Sequence, residues 1–401
     1  MTAVPAPAGE EIPAGVLLEV ARRLDSGRDF LLVSRVLGKH IPVDPAVCLA
    51  AGAALALRLA PPPDPRRGLV AASLTDAAAA RALWEEMRRA PVRDLGRVAV
   101  IGFAETATGL GHAVADCLAG ASYHQTTRRR QAPGPPPIAV DERHSHAREQ
   151  WLWSVPDACD LLVVVDDELT TGRTAQALME AVHPRAGFAE VAMLALCDGI
   201  SPDRRRHLHA AAARLGARLG VHSLHTLGSL PAAPDVGERR ARPAAAGGSV
   251  HAALHVRARG PVTGRRRAAD PGAVTALAKA AAAAIRSRLP HRGLHVLGTG
   301  ELMHLPTRVA ALLPGATVSA TTRSPISVCD LAGYPVRSGI AFAATDGGER
   351  LEYAYNLDPL AIEQLVVIAD DPPELLTPLV EAVRSAGLPE PLVLVIDGAD
   401  G

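Results

Sequence analysis

Leu161-Leu-Val-Val-Val-Asp-Asp-Glu-Leu-Thr-Thr-Gly-Arg-Thr174 is the stretch that decides the fold. Leu161 to Val165 is an unbroken apolar run, the pattern of a central parallel strand buried on both faces. Asp166 and Asp167 follow where that strand is expected to end. In open α/β sheets, ligands bind beyond the carboxyl ends of the strands. The small, hydroxylated Thr170-Thr171-Gly172-Arg173-Thr174 then opens a helix, expected from Ala175. A helix start offers free backbone N–H groups and the positive end of a dipole, and Gly172 lets the backbone approach an anion. The stretch therefore suits a phosphorylated sugar, with the loop on the phosphate and the acids on the hydroxyls. The plain alternative is a buried strand followed by an ordinary capped helix.

Outward from this unit, strands and helices alternate. Helices are expected at Gly15–Leu24, Ala46–Leu59, Asp76–Arg89, Gly111–Leu118 and Pro202–Leu215. Strands are expected at Phe30–Val36, Arg97–Phe103 and Glu190–Leu196. Such alternation predicts a parallel sheet covered on both faces. From Pro231 to about Asp270 the chain turns rich in Pro, Gly, Ala and Arg and reads as a connection, with 251–256 as a candidate strand. A second α/β pattern follows, with strands at Leu294–Leu297, Gln364–Ala369 and Leu392–Ile396 and helices at Pro271–Leu289, Leu302–Leu313 and Pro373–Ala386. The expectation is a Rossmann-like first domain over 12–230, a connection over 231–269, and a smaller α/β domain over 270–401.

The chain has 401 residues, long enough for two domains, and 48% hydrophobic residues suffice for packed cores. No apolar run approaches the ~20 residues that span a bilayer, so no membrane partner is expected. The Ala/Pro-rich start lacks the basic and apolar regions of a signal peptide. Five scattered cysteines without a C-x-x-C pair argue for a reducing, cytoplasmic location and against a zinc site or disulfide framework. The net charge is zero. Arginine triplets stand at 128–130, 204–206 and 265–267, but aromatics are only 3%, too few for base-stacking platforms, so nucleic acid is not an expected partner. Lysine occurs only at 39 and 279. An ammonium kept in so arginine-biased a chain draws attention to Lys39.

The stretch 162–174 resembles the phosphoribosyl pyrophosphate (PRPP) motif of type I phosphoribosyltransferases. The resemblance implies that Asp166 and Asp167 contact the ribose hydroxyls and that Thr170, Thr171, Gly172, Arg173 and Thr174 wrap the 5′-phosphate. It also implies Mg²⁺ as cofactor, held mainly by the substrate, with Asp166 and Asp167 as candidate ligands. Glu168 departs from the family, which has an apolar residue or Ser there. A haloacid-dehalogenase-type loop built on Asp166, Glu168 and Thr170 fits less well, because that motif wants Asp at the third position. Phe103-Ala-Glu-Thr-Ala-Thr-Gly109 looks like the family's pyrophosphate loop, with Ala104, Glu105, Thr106 and Ala107 at its centre. Thr126-Thr127-Arg128 and Asp141-Glu142-Arg143-His144-Ser145-His146-Ala147 resemble a hood that closes over PRPP to exclude water. Arg128 and Lys39 are then candidates for the diphosphate, Glu105 for metal-bound water or substrate, and His144 or His146 for base or phosphate.

SRVLGKHIPVDP (34–45), GFAETATGLGH (102–112) and VDDELTTGRTA (165–175) together resemble the orotate-phosphoribosyltransferase-like proteins of bacterial tellurium-resistance and stress systems. In these a C-terminal domain is named for a Thr-Arg-Ser-Pro motif, which stands here at 322–325. In that domain Thr299, Gly300, Glu301, Thr322, Arg323, Ser324 and Asn356 are a candidate set for a phosphorylated or carboxylated ligand; caps and turns account for them equally well. The resemblance implies an enzyme that moves ribose 5-phosphate between PRPP and a nitrogenous base, its expected partners being small molecules and a second copy in a homodimer. The competing reading is a PRPP- or nucleotide-sensing regulator without catalysis.

Overall fold

A computed structural model describes residues 11–25, 28–129, 137–141, 149–243, 253–290 and 292–400. Two five-stranded sheets, each wholly parallel, dominate it. In the first, Ser122–Gln125, Val98–Gly102, Leu161–Leu169, Glu190–Asp198 and Arg218–Thr226 lie side by side in that order. From Val98–Gly102 the chain moves to one neighbour, Ser122–Gln125, and later returns to the other, Leu161–Leu169. The loops leaving Gly102 and Leu169 therefore part in different directions, and a ligand crevice opens between them. In the second sheet the order is Ala253–Arg257, Leu392–Asp397, Gln364–Ala369, Leu294–Gly298 and Thr317–Ala320. Its edge strand Ala253–Arg257 comes from the stretch that reads as a connection.

The central strand of the first sheet is longer than its apolar run. It continues to Leu169, so Asp166, Asp167 and Glu168 are half-buried strand residues and not loop residues. Pairing with Glu190–Asp198 extends along it as far as Leu169↔Asp198. Polarity hid that extension, as it hid the edge strands Ser122–Gln125 and Arg218–Thr226. An edge strand has one open side and tolerates His, Ser, Thr and Arg, which erases the apolar signal. The expected helix at Gly15–Leu24 is instead a four-residue helix, Ala14–Leu17, running into Leu18–Arg22, which pairs antiparallel with Phe30–Ser34. Between the hood-like segment Thr126–Arg128 and the strand at Leu161 lies an antiparallel pair, Ile138–Asp141 with Glu149–Leu152.

One helix joins the two halves. Pro45–Ala56 is buried at every residue, as befits a helix that is apolar all round. Asp44 caps it through the Ala46 N–H. Its small residues admit close neighbours: a Cβ on Gly52 would stand 2.4 Å from the Ala113 Cβ. A single apolar cluster runs from this helix through Ala107–Ala115 to Pro271–Arg286 and His304–Ala310, and so through both halves. A second cluster fills the other side of the first sheet, under Arg173–Ala186 and Pro202–Arg214.

Candidate functional site

The helix behind the phosphate loop starts at Arg173, two residues earlier than expected. Gly172 is its N-cap, in the left-handed region at φ +62°. Thr171 and Arg173 are exposed, Thr170 and Thr174 half-buried, and Gly172 buried. The loop thus presents hydroxyls and the first amides of a fourteen-residue helix outward. Gly172 serves twice, since a Cβ there would come within 2.8 Å of the Leu208 Cδ1 on the next helix. Arg204 of that next helix donates from Nε to the Thr171 carbonyl at 3.2 Å, which bolts the loop from behind. The Asp167 N–H donates to Asp166 Oδ1 at 3.0 Å, fixing the acid pair. Glu168, the departure from the family pattern, is paired with Arg28, whose guanidinium also lies over the Phe30 ring. Burial pushes the Glu168 carboxyl up, and Arg28 opposes that.

Across the crevice, Phe103 to Thr106 leads into the helix Ala107–Ala115. Ala104 and Ala107 are buried, while Glu105 and Thr106 are partly exposed. The Ala104–Glu105 peptide is cis. The Ala104 N–H donates to Thr126 Oγ1 at 2.8 Å, and Arg128 donates from Nε to the Ala104 carbonyl at 3.3 Å. The pyrophosphate-loop candidate and the Thr126–Arg128 segment are therefore one hydrogen-bonded unit beside the acid pair. His144 and His146, with the rest of 142–147, lie outside the described residues.

The remaining first-domain candidates point elsewhere than the sequence suggested. Lys39 is not open to the crevice. Its ammonium is buried, donating to the Gly300 carbonyl at 2.8 Å and standing 3.3 Å from Glu105 Oε2. Burial pulls its pKa down, against the pull of Glu105. Glu105 in turn accepts from Thr322 Oγ1 at 3.0 Å and the Arg323 N–H at 3.3 Å. Burial would raise its carboxyl, but Lys39 and Arg323 outweigh that and hold it at about 2. Lys39 and Glu105 thus pair with each other and are tied to the second half through Gly300, Thr322 and Arg323.

A family model described as "Phosphoribosyl transferase" matches residues 17–227, more than half of the chain. The chain belongs to the phosphoribosyl transferase family. A second model, described as the TRSP domain C-terminal to that transferase, matches residues 263–383. Among solved structures, adenine phosphoribosyltransferase from Rhodothermus marinus is 20% identical over 39% of this chain and 85% of that one, with a TM-score of 0.27. The enzyme from Saccharomyces cerevisiae is 15% identical over 36% and 80%, with a TM-score of 0.25. No curated protein matches.

In this phosphoribosyltransferase the TRSP half meets the transferase half at the carboxyl ends of both sheets. Glu301 accepts from Thr127 Oγ1 at 2.6 Å and from the Arg128 N–H at 2.7 Å, and its carbonyl accepts from Thr108 Oγ1 at 2.9 Å. Arg323 donates to the Arg128 carbonyl at 3.2 Å and to Asp346 at 3.1 Å. Arg129 forks onto Asp371 at 2.9 and 3.1 Å. The second-domain candidates therefore do not frame an open pocket of their own. Thr299, Gly300, Glu301 and Thr322 are buried against the transferase half. Ser324 donates from its N–H to Thr322 Oγ1, which shapes the turn. Asn356, at φ +56°, ties its own loop to the carbonyls of His40 and Pro335. Sequence reading missed Arg129, Asp370 and Asp371 because an Arg triplet and an acidic pair look like solvated surface until the fold brings them together.

Two other features stay outside the site. His112, Asp116 and His304 hold ligand-type atoms within 4.8 Å of one another. Asp116 is already matched by Arg308 at 2.7 Å and Arg88 at 3.0 Å, and the two imidazoles stack 4.0 Å apart. The group is a buried latch between Ala107–Ala115 and His304–Ala310. A cleft of about 580 Å³ lined by Arg97, Ser122, His124 and Asp157 lies at the amino ends of the strands, away from the loops that follow Gly102 and Leu169. No helix among the described residues is long and apolar enough to cross a membrane.

Proposed function

We propose that the transferase binds PRPP with Mg²⁺, moves its ribose 5-phosphate onto a nitrogenous base and releases pyrophosphate, or runs that reaction in reverse. The observation that carries this reading is the half-buried acid pair on the central strand, followed at once by a left-handed glycine and a helix N-terminus. Asp166 and Asp167 hold the ribose hydroxyls, and Thr170 to Thr174 hold the 5′-phosphate. The diphosphate lies toward Ala104–Ala107, Thr127 and Arg128. Asp166 and Asp167 offer the hard oxygen donors that Mg²⁺ takes, alongside the oxygens of the substrate. When bound, the ion neutralises charge that gathers on the departing diphosphate. The protein supplies orientation and fixed dipoles, which suit a reaction whose barrier lies in separating charge.

The finer assignment rests on resemblance: an orotate-phosphoribosyltransferase-like enzyme of a tellurium-resistance or stress pathway, cytoplasmic and homodimeric. Residues 12–230 form its transferase domain, 231–269 a connection that also lends the second sheet its edge strand Ala253–Arg257, and 270–401 the TRSP domain, which contributes to the same site instead of a separate one. Purified protein incubated with PRPP, Mg²⁺ and a panel of purine and pyrimidine bases should release pyrophosphate with at least one of them. PRPP binding without turnover of any base, in either direction, would favour a sensor instead.

A further inference from the structure

The carboxylate of Glu301 sits where the proposed reaction needs an anion. It bridges two segments of the transferase half at once, through the Thr127 hydroxyl, the Arg128 N–H and, by its own carbonyl, the Thr108 hydroxyl. Thr127 and Arg128 belong to the segment bonded to the pyrophosphate loop. Cations surround the same point. Lys39 donates to the neighbouring Gly300 carbonyl, and both Lys39 and the buried Arg129 feel the charge of Glu301. Hydroxyl and amide donors backed by buried cations are what an anion site consists of. Here the anion is supplied by the TRSP domain, from a turn whose Gly300 stands at φ +52°.

We infer that Glu301 is a resident competitor of the diphosphate and sets how tightly the transferase holds it. The inference rests on the transferase reading above. Glu301 and Thr127 are both buried, so the exchange needs the turn that carries Glu301 to open, while the apolar core keeps the two halves together. While the diphosphate is bound, Thr127 and Arg128 face it. When pyrophosphate has been formed, Glu301 returns to the donors and helps to expel it. A built-in competitor weakens pyrophosphate more than ribose 5-phosphate, because the 5′-phosphate loop at Thr170–Thr174 is a separate set of donors. The consequence is a site that releases pyrophosphate readily and gives up some affinity for PRPP in return, with the overall equilibrium unchanged.

The test is calorimetric titration of inorganic pyrophosphate with Mg²⁺, and separately of ribose 5-phosphate, into the full chain. Three proteins are compared: native, Glu301→Gln, and Arg308→Gln, which weakens another contact between the halves without touching these donors. Glutamine keeps the shape and an acceptor for the Arg128 N–H but removes the charge. Melting curves establish that all three are folded. Glu301→Gln should bind pyrophosphate about tenfold tighter than the native chain, with ribose 5-phosphate unchanged and Arg308→Gln like native for both. Equal or weaker pyrophosphate binding by Glu301→Gln, with ribose 5-phosphate still bound by all, overturns the inference and leaves the transferase reading standing. If no protein of the three binds either ligand, both fall.

Discussion

Replacing Gly172 with valine lowers affinity for ribose 5-phosphate at least tenfold while the chain stays folded. Two costs fall on one residue. At φ +62° an L side chain pays about 1–2 kcal/mol, more if branched at Cβ. The new Cβ would also stand 2.8 Å from Leu208, which is fully buried and cannot retreat into solvent. Overpacking of that kind costs about 1–3 kcal/mol. A domain stable by about 5–15 kcal/mol survives the sum, but the cheapest relief is to shift the loop, which displaces the amides and hydroxyls that hold the phosphate. Gly187, at the other end of the same helix, is the control. It has nearly the same backbone, φ +61°, with nothing near its Cβ. Gly187→Val should cost stability and leave binding intact. Equal binding by Gly172→Val and native protein, measured by titration, would remove the loop from the site.

The second large effect is acid lability. His40 and His295 are buried and held near 3, and His124 near 4, each because burial disfavours the imidazolium. His295 bridges Thr317 and Ser319 at 2.8 Å each, and His124 meets Ser154 at 2.7 Å, so all three lie within packed structure. Unfolded, such a group takes up a proton below about 6.5. Folded, it does not until pH 3 to 4. The unfolded state therefore binds more protons in that window, and stability, complete above pH 6.5, is lost as pH falls. Each histidine contributes a slope of up to about 1.4 kcal/mol per pH unit, so three together remove several kcal/mol by pH 5. Glu105 plays no part there, since its carboxyl stays ionised down to about 2. Thermal melts should show Tm falling by about 10 °C between pH 7.5 and 5.0. His295→Gln should make that slope shallower. A Tm that stays flat across this range would mean that these rings are not buried neutral.

The strand, the left-handed glycine and the helix start of the candidate phosphate loop were legible because their physics is local. An apolar run, two acids, a glycine and a hydroxylated helix start act within fourteen consecutive residues. The parallel sheets were legible from the alternation of apolar strands and helices, but their polar edges were not: Ser122–Gln125 has the composition of a loop. Lys39 was singled out for the diphosphate and Glu105 for metal-bound water or substrate, yet they bond to Gly300, Thr322 and Arg323, more than two hundred positions away. No spacing rule connects them. The same distance in sequence concealed the pairing of Arg129 with Asp371, which needs the second sheet to exist before the contact does. Glu168 looked like a defect in the motif and is matched by Arg28 from a segment the motif does not include.

The central claim is that the acid pair and the loop after it form a ribose-phosphate site. Calorimetry of PRPP with and without Mg²⁺, for the native chain and for Asp166→Asn/Asp167→Asn, tests it most directly. Asparagine keeps the size of each side chain, so the fold should persist, while the charge that attracts both hydroxyl and metal is lost. The account predicts magnesium-dependent binding by the native chain, weakened about a hundredfold or more in the double variant with its melting curve intact. Equal binding by both proteins, or none by the native chain, would contradict it.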